Sequence, residues 1–375
     1  MNMADKNISR NTYLSRNVGD YPDKTDFLGN EFVKVNDLRY GTNPGQTAAY
    51  YKPADRESVI GDMEILKTGK SGLSQTNLED ISYALNICKF FDDPCCACMK
   101  HVNPSGAAVF AEGDSLTDIY KKARDCDPRA AFGSVVAFNR TVDEDVAKEI
   151  MSSFVEAVVA PSYEDNAINV LHDSETYKKN KHLRIIQCGD LNKLPRYTGD
   201  DTSGFLNAKV LADGSMVIAE PLLTSLRSVD DLTPAEASSN KFGDHKSEVQ
   251  ATAQQLADIL TAWYVNISVR SNGVVLVKNG GTLAVGTGEQ DRVGAVEQAV
   301  WKYQNKYEGN DSLDGAVMAS DGFFPFPDAV EIAAEAGIKA VISPAGSLRD
   351  AQVIQRANEL GIALLHAPER IFSHH

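Results

Sequence analysis

The feature that most limits what this chain can fold into is an alternation of helical and extended patterns that runs through the sequence twice. Over 77–91, Leu78, Ile81, Leu85 and Cys88 recur at helical spacing with Asn86 and Lys89 between them, which predicts an amphipathic helix. PCCACMKHV then reads as a buried strand of small side chains, stopped by NPSG, so that Lys100 and His101 sit at the strand's C-terminal end. A helix over 115–124, the strand SVVAFN, a helix over 144–153, the strand EAVVAP and a helix starting near Tyr163 follow. Strands alternating with helices of this length predict a layered α/β fold. Further on, a helix over 248–264 leads into VRSNGVVLV, AVMASDGFFPF and KAVISPAGS. Set beside HVNPSGAAVF, AAFGSVVAFN and EAVVAPS, these keep the same order at a spacing of roughly 170 residues, too long for a solenoid repeat of about 20 to 50. Two copies of one α/β unit, and a cleft between lobes, are the expectation.

This pattern divides the 375 residues into an N-terminal arm (1–36), a first unit (37–190), a connecting region rich in Gly, Asp, Ser and Pro (191–246) and a second unit (247–375). With 37 basic and 52 acidic residues the net charge is -15, a field that repels polyanions and excludes a general nucleic-acid or anionic-membrane binder. Any anion must be caught locally. No apolar run reaches the roughly 18 to 20 residues of a membrane helix, and the first residues lack the apolar core of a secretory signal, so a cytoplasmic location is expected. Of the six cysteines, Cys88, Cys95, Cys96 and Cys98 are crowded together, which suits a reducing compartment better than a disulfide framework.

Several motifs carry candidate chemistry. In LRYGTNPGQ, Arg39 and Tyr40 precede a turn that can present a guanidinium and backbone N–H groups to a phosphate. KHVNPSG sets the fixed cation of Lys100 beside His101, a side-chain type that serves as a general base near neutrality. Pro94, Cys95 and Cys98 match the second half of the zinc deaminase signature, but every His follows Cys98, so the upstream ligand that signature needs is missing. ASDGFFPFPD sets fixed aromatics between Asp321 and Asp328, which suits a wall against a flat heterocycle or, equally, a core cluster. VRSNGV and GEQDRV place Asn272 and Arg292 beside apolar runs. GTGEQ lacks the glycines of a dinucleotide fingerprint.

Taken in order, LRYGTNPGQ, LSQTNLED, MKHVNPSG, DPRAAFGS, EAVVAPS, VRSNGVV, GEQDRV, ASDGFFPF, SPAGSLRD and ERIFSHH resemble the folate-dependent transformylases that formylate AICAR (5-aminoimidazole-4-carboxamide ribonucleotide) in purine synthesis. The resemblance covers residues 38–375 and implies two tandem cytidine deaminase-like subdomains of layered α/β topology without catalytic zinc, in an intertwined homodimer with shared active sites. It implies AICAR and the cosubstrate 10-formyltetrahydrofolate as ligands. By similarity His101 is the base, and Lys100 stabilises the oxyanion or helps protonate the leaving group. Arg39, Tyr40 and Arg370 would hold the nucleotide, the arginines near its phosphate, with Phe132, Gly133, Glu156, Asn272 and Arg292 completing the site and Asn272 reaching in from the partner chain. Val293, Phe323, Asp328, Ser347 and Leu348 would line the folate side, and a structural potassium ion would lie near Asp321 and Ser271.

Gly45, Gln75, Glu156 and Asp291 depart from residues common in that family, which bears on ribose and folate contacts more than on the reaction. The chain begins just before the transformylase region, so the expectation is a stand-alone form served by a separate IMP cyclohydrolase. Two other readings remain at this level: a zinc-dependent deaminase-like hydrolase, and a non-catalytic nucleotide-binding module.

Overall fold

Ser74 accepts a hydrogen bond from the Asn77 N–H while the Asn77 side chain bonds back to the Ser74 N–H, a capping box that starts helix α1 (Gln75–Cys88). Ahead of it lie β1 (Lys24–Phe27), β2 (Asn30–Asp37) and β3 (Ala49–Pro53), which form a small antiparallel sheet, and the edge strand β4 (Glu64–Lys67). After α1 come the hairpin β5 (Cys95–Lys100) and β6 (Asn103–Val109), helices α2 (Leu116–Asp125) and α3 (Pro128–Ala131), and then β7 (Val135–Phe138), α4 (Glu144–Ser152), β8 (Ala157–Ala160), α5 (Asp165–His172) and β9 (Arg184–Gln187). The chain next runs through two hairpins, β10 (Asn207–Val210) with β11 (Met216–Ala219) and β13 (Glu236–Ser239) with β14 (Gly243–Lys246), with β12 (Thr233–Pro234) between them. A second capping box, Thr252 with Gln255, starts α6 (Ala253–Asn266), and the earlier order then recurs. The elements are β15 (Val274–Lys278), β16 (Gly281–Gly286), α7 (Arg292–Lys306), β17 (Val317–Ser320), α8 (Asp328–Glu335), β18 (Ala340–Pro344), α9 (Asp350–Leu360) and β19 (Ala363–Ala367).

This is a computed structural model, and it describes residues 16, 18–69 and 71–374. Of the arm expected over 1–36, residues 1–15 and 17 lie outside the described residues, and from Lys24 the segment forms the hairpin of β1 and β2.

A twelve-stranded mixed sheet runs through both halves in the order β12-β19-β18-β17-β15-β16-β6-β5-β7-β8-β9-β4. Within each half the hairpin is antiparallel and the last three strands are parallel, β7-β8-β9 and β17-β18-β19. The halves meet where β6 lies antiparallel to β16. One face of the sheet carries α1 and α6 over a single core that includes Ile81, Leu85, Ile259 and Trp263. The other face has two cores, one under α2, α4 and α5 and one under α7, α8 and α9. The layered α/β reading and its two tandem units thus describe the architecture.

Two local readings are corrected. NPSG does not stop the strand; it opens β6, and the chain reverses at His101 and Val102, whose φ values are 55° and 60°. Pro104 is tolerated there because the β5–β6 register shifts beside it, between Cys98 and Met99. Accordingly VRSNGVVLV is the counterpart of PCCACMK rather than of HVNPSGAAVF, since β15 and β5 are the first strands of their hairpins. The turn was illegible because it lacks the Asn-Gly or Asp-Gly pair that ordinarily marks a two-residue hairpin.

Close layer packing depends on small residues. A Cβ added at Gly106 would lie 2.2 Å from the Ala123 carbonyl oxygen of α2, and one at Gly286 would lie 2.3 Å from the Ala295 carbonyl oxygen of α7. Gly106→Ala should therefore push α2 off the sheet and cost about 1–3 kcal/mol, read as a lower urea midpoint with an unchanged slope.

Candidate active site

The antiparallel junction between the halves decides which strand ends meet. Lys100 pairs with Asn103, Met99 with Val135, and Val135, Ala157 and Arg184 stand side by side in the parallel strands. Across the seam Val274 pairs with both Gly286 and Ser320, while Ser343 lies beside His366. The starting ends of β7, β8 and β9 therefore share one sheet edge with the finishing ends of β17, β18 and β19. Lys100, His101, Gly133, Glu156, Asn272, Asp321 and Arg370 lie at or just beyond that edge, and Arg39 and Tyr40, which follow the small sheet, are tied to the start of α1.

On the first-half side, the Lys100 ammonium donates to the Gly133 carbonyl. Gly133 has φ +72°, and a Cβ there would lie 3.3 Å from Lys100 Nζ and 3.0 Å from the Phe154 ring, so a glycine is needed on both counts. Phe132 is 61% exposed and its ring packs 5.2 Å from that of Phe154. His101 projects from the tip of the turn and is exposed. Beneath it the buried Asp80 carboxylate, from α1, accepts the Val102 N–H at 2.7 Å. Burial pushes Asp80 up to about 7, against the opposing pull of the turn N–H groups and the Lys100 ammonium. Glu156, just ahead of β8, accepts from Asn77 Nδ2 at 2.9 Å.

Arg39 is buried and is tied to the start of α1, because its N–H donates to Leu73 O at 2.8 Å and Tyr40 O accepts from Gln75 N at 3.1 Å. Its guanidinium donates to the Tyr40 hydroxyl at 2.9 Å, and Nε has no partner among the described residues. Close by is a second buried guanidinium, Arg184, which donates to Gly72 O at 2.9 Å and whose pKa is lowered by burial first and by the Arg39 charge second. Two like charges held together in a buried place favour an anion between or beside them. The sequence reading missed Arg184 and Asp80. The former is a lone cation opening an apolar strand, and the latter sits on the apolar face of a helix, which was the available signal.

On the second-half side, Arg292 donates to Asn272 Oδ1 at 2.8 Å and pairs with Asp321 Oδ1, both members of the pair being buried. Asp321 Oδ2 accepts the Gly273 N–H at 2.8 Å. Arg292 and Arg370 lie over the Phe372 ring at 5.8 and 4.3 Å, which docks the C-terminal segment against this pair. Asp291, one of the departures noted above, caps α7 by accepting the Gly294 N–H at 2.7 Å. Val293 follows in the first turn of that helix, Asp328 begins α8, Ser347 Oγ accepts the Arg349 N–H at 3.1 Å, and Phe323 and Leu348 are exposed, Leu348 at 96%.

A cavity of about 390 Å³ is lined by Lys100, His101 and Phe132 together with Arg129, Lys302 and Lys306. Within one chain neither Arg39, Tyr40, Asn272 nor Arg370 lines it. Cys95 faces the shared core and Cys98 the opposite one, so the two thiols of the P-C-x-x-C match point to different sides of the sheet and cannot converge on one ion. No helix among the described residues is long and apolar enough to cross a membrane.

Among curated proteins, the bifunctional purine biosynthesis protein PurH of Oceanobacillus iheyensis is 36% identical over 97% of this chain and 64% of its own length. That of Magnetococcus marinus is 38% identical over 92% of this chain and 60% of its own. The chain thus spans less than two thirds of the relatives it matches. Among solved structures, a dCMP deaminase from the cyanophage S-TIM5 aligns over 29% of this chain and 94% of its own, at 24% identity and a TM-score of 0.22, too slight a likeness to bear on the fold. The profile of the AICARFT/IMPCHase bienzyme matches residues 2–302, and with these relatives it establishes that the chain belongs to that family.

Proposed function

We propose that this protein transfers a formyl group from 10-formyltetrahydrofolate to the 5-amino group of AICAR, a step of purine synthesis. The observation that carries the proposal is the Lys100–His101 pair at the sheet edge where Gly133 and Glu156 also lie, with Arg39 and Tyr40 tied to the start of α1, whose Asn77 bonds Glu156, in a chain of this family. The amine is a weak nucleophile because its lone pair is delocalised toward the carboxamide. As its nitrogen bonds to the formyl carbon, His101 takes the amine proton, and Lys100 stabilises the tetrahedral oxyanion. Cleavage of the bond to folate N10 then needs a proton on that nitrogen, returned by the imidazolium or delivered with the help of Lys100. Arg39, Tyr40 and Arg370 take the nucleotide, the arginines its phosphate, for which the neighbouring guanidiniums of Arg39 and Arg184 are suited. Phe132, Gly133, Glu156, Asn272 and Arg292 complete that site, and Val293, Phe323, Asp328, Ser347 and Leu348 line the folate side. The units over 37–190 and 247–375, joined through 191–246, belong to the same reading.

A homodimer with shared sites is part of this proposal. Both strands of the β10–β11 hairpin are exposed along their whole length, with Val210, Leu211, Met216 and Val217 at 66, 47, 50 and 50%. An isolated two-stranded ribbon is marginal in water, so this arm is suited to wrapping a second copy, which would also bring Asn272 to the partner's Lys-His pair. Near Asp321, Ser271 Oγ and Asn266 Oδ1 are buried without a hydrogen-bond partner among the described residues. A Cβ on Gly273 would lie 2.5 Å from Asn266 Oδ1 and 3.3 Å from Asp321 Oδ2, so these oxygens gather around one small residue. The unpartnered neutral oxygens of Ser271 and Asn266 fit a potassium ion, which they would hold beside Asp321.

A steady-state assay with AICAR and 10-formyltetrahydrofolate should show turnover, with His101→Ala lowering kcat by about 10²- to 10⁴-fold and Lys100→Ala by about 10²- to 10³-fold. Retention of most turnover by His101→Ala would overturn the assignment. Mixing inactive His101→Ala and Asn272→Ala proteins under subunit exchange should restore about a quarter of wild-type activity, the share of intact sites in a randomly re-assorted two-fold dimer. Sedimentation should give a dimer that Val217→Asp weakens; a wild-type monomer with full activity would refute the shared site.

A further inference from the structure

The two halves provide an internal comparison at the hairpin turn. In the second half the turn between β15 and β16 is Asn279-Gly280, with φ 50° and 75°, the residue pair that adopts left-handed backbone most readily. In the first half the equivalent turn is His101-Val102, at φ 55° and 60°. A β-branched valine is a poor occupant of that region, because its side chain crowds the backbone. The same backbone shape is thus built once from residues that favour it and once with a valine that resists it.

What the two turns share is an aspartate. Asp80 is the sixth residue of α1 and Asp258 the sixth of α6, and both are buried. Asp258 accepts the Asn279 N–H at 3.0 Å and the Gly280 N–H at 2.8 Å. Asp80 accepts the Val102 N–H at 2.7 Å, and the His101 N–H also stabilises its charge. Lys100 and Glu156 are the other charged groups that act on Asp80.

We propose that Asp80 is a positioning residue: its carboxylate clamps the His101-Val102 turn in a conformation that Val102 disfavours, and so fixes the direction in which the His101 imidazole points. In the second half the clamp holds a turn that needs no holding and carries no reacting group. At the first turn it offsets backbone strain at the residue on which the chemistry depends, a place where strain of this kind is tolerated only when surrounding contacts over-determine it. This rests on the formyltransferase reading for its activity readout, but not for its structural one.

The test uses the full chain with Asp80→Ala, Asp80→Asn and Asp258→Asn, and adds Val102→Gly to each Asp80 variant. Asp80→Ala should lower kcat by about 10²-fold, the size expected when a reacting group is misplaced by about 1 Å, while KM for AICAR moves by less than about threefold. Asp80→Asn, which keeps the shape and an acceptor, should lose less and decides the matter if the alanine variant does not fold. Adding Val102→Gly should restore about tenfold or more of the lost kcat, because a glycine enters the left-handed region without strain. Asp258→Asn should leave kcat unchanged. Amide hydrogen exchange at residues 101 and 102 should quicken in Asp80→Ala. A folded Asp80 variant with wild-type kcat, a loss that Val102→Gly leaves untouched, or unchanged exchange at the turn would overturn the clamp. If the wild type transfers no formyl group, the functional reading fails, and the exchange measurement still decides the clamp.

Discussion

The pairing of β6 with β16 is the interaction on which the rest of the arrangement depends. Gly281 stands opposite Ala108, the Val109 N–H donates to Gly280 O at 2.9 Å, and the Thr282 hydroxyl donates to Ala107 O at 3.0 Å while accepting the Ala107 N–H at 2.9 Å. Because this seam is antiparallel, the parallel strands of the two halves run in opposite senses along one sheet. One edge consequently collects strand beginnings from the first half and strand endings from the second. A parallel seam would have put Lys100 and Asp321 at opposite edges.

Charge is distributed unevenly along that edge. Arg292 and Asp321 form a buried pair, an arrangement that is weak evidence for stability because desolvation offsets much of the attraction. Its clearer consequence is orientation, since the same guanidinium holds Asn272 and lies over Phe372. Arg39 and Arg184, by contrast, are two buried guanidiniums side by side, and the charge of Glu156 acts on Arg184 against that of Arg39, in a chain of net charge -15. A phosphate bound there would supply the counter-charge, which is how an acidic protein can hold an anionic substrate without a basic surface.

Much of the first half was legible because its helices announce themselves locally. The spacing of Ile81, Leu85 and Cys88 is a feature of a few consecutive residues, and the helix appears close to where periodicity puts it. SVVAFN and EAVVAP became β7 and β8 for the same reason. The His101-Val102 turn was not legible, because its conformation opposes the preference of Val102 and the carboxylate that holds it comes from another element. Arg184 was overlooked because one cation before an apolar run has no local signature; its importance comes from the proximity of Arg39, distant in sequence.

By itself the sequence determined the alternation of helices and strands through the first unit, the twofold recurrence of that unit, and which residue types were available for proton transfer and anion binding. Periodicity and ordered motifs act over short stretches of chain, so they can be read without coordinates. The tertiary structure alone decided that the two units share one continuous sheet, that their opposite strand ends meet at a single edge, and that a carboxylate lies beneath the imidazole-bearing turn. Those outcomes depend on contacts between residues far apart in the chain, whose energies are settled only when the layers pack together.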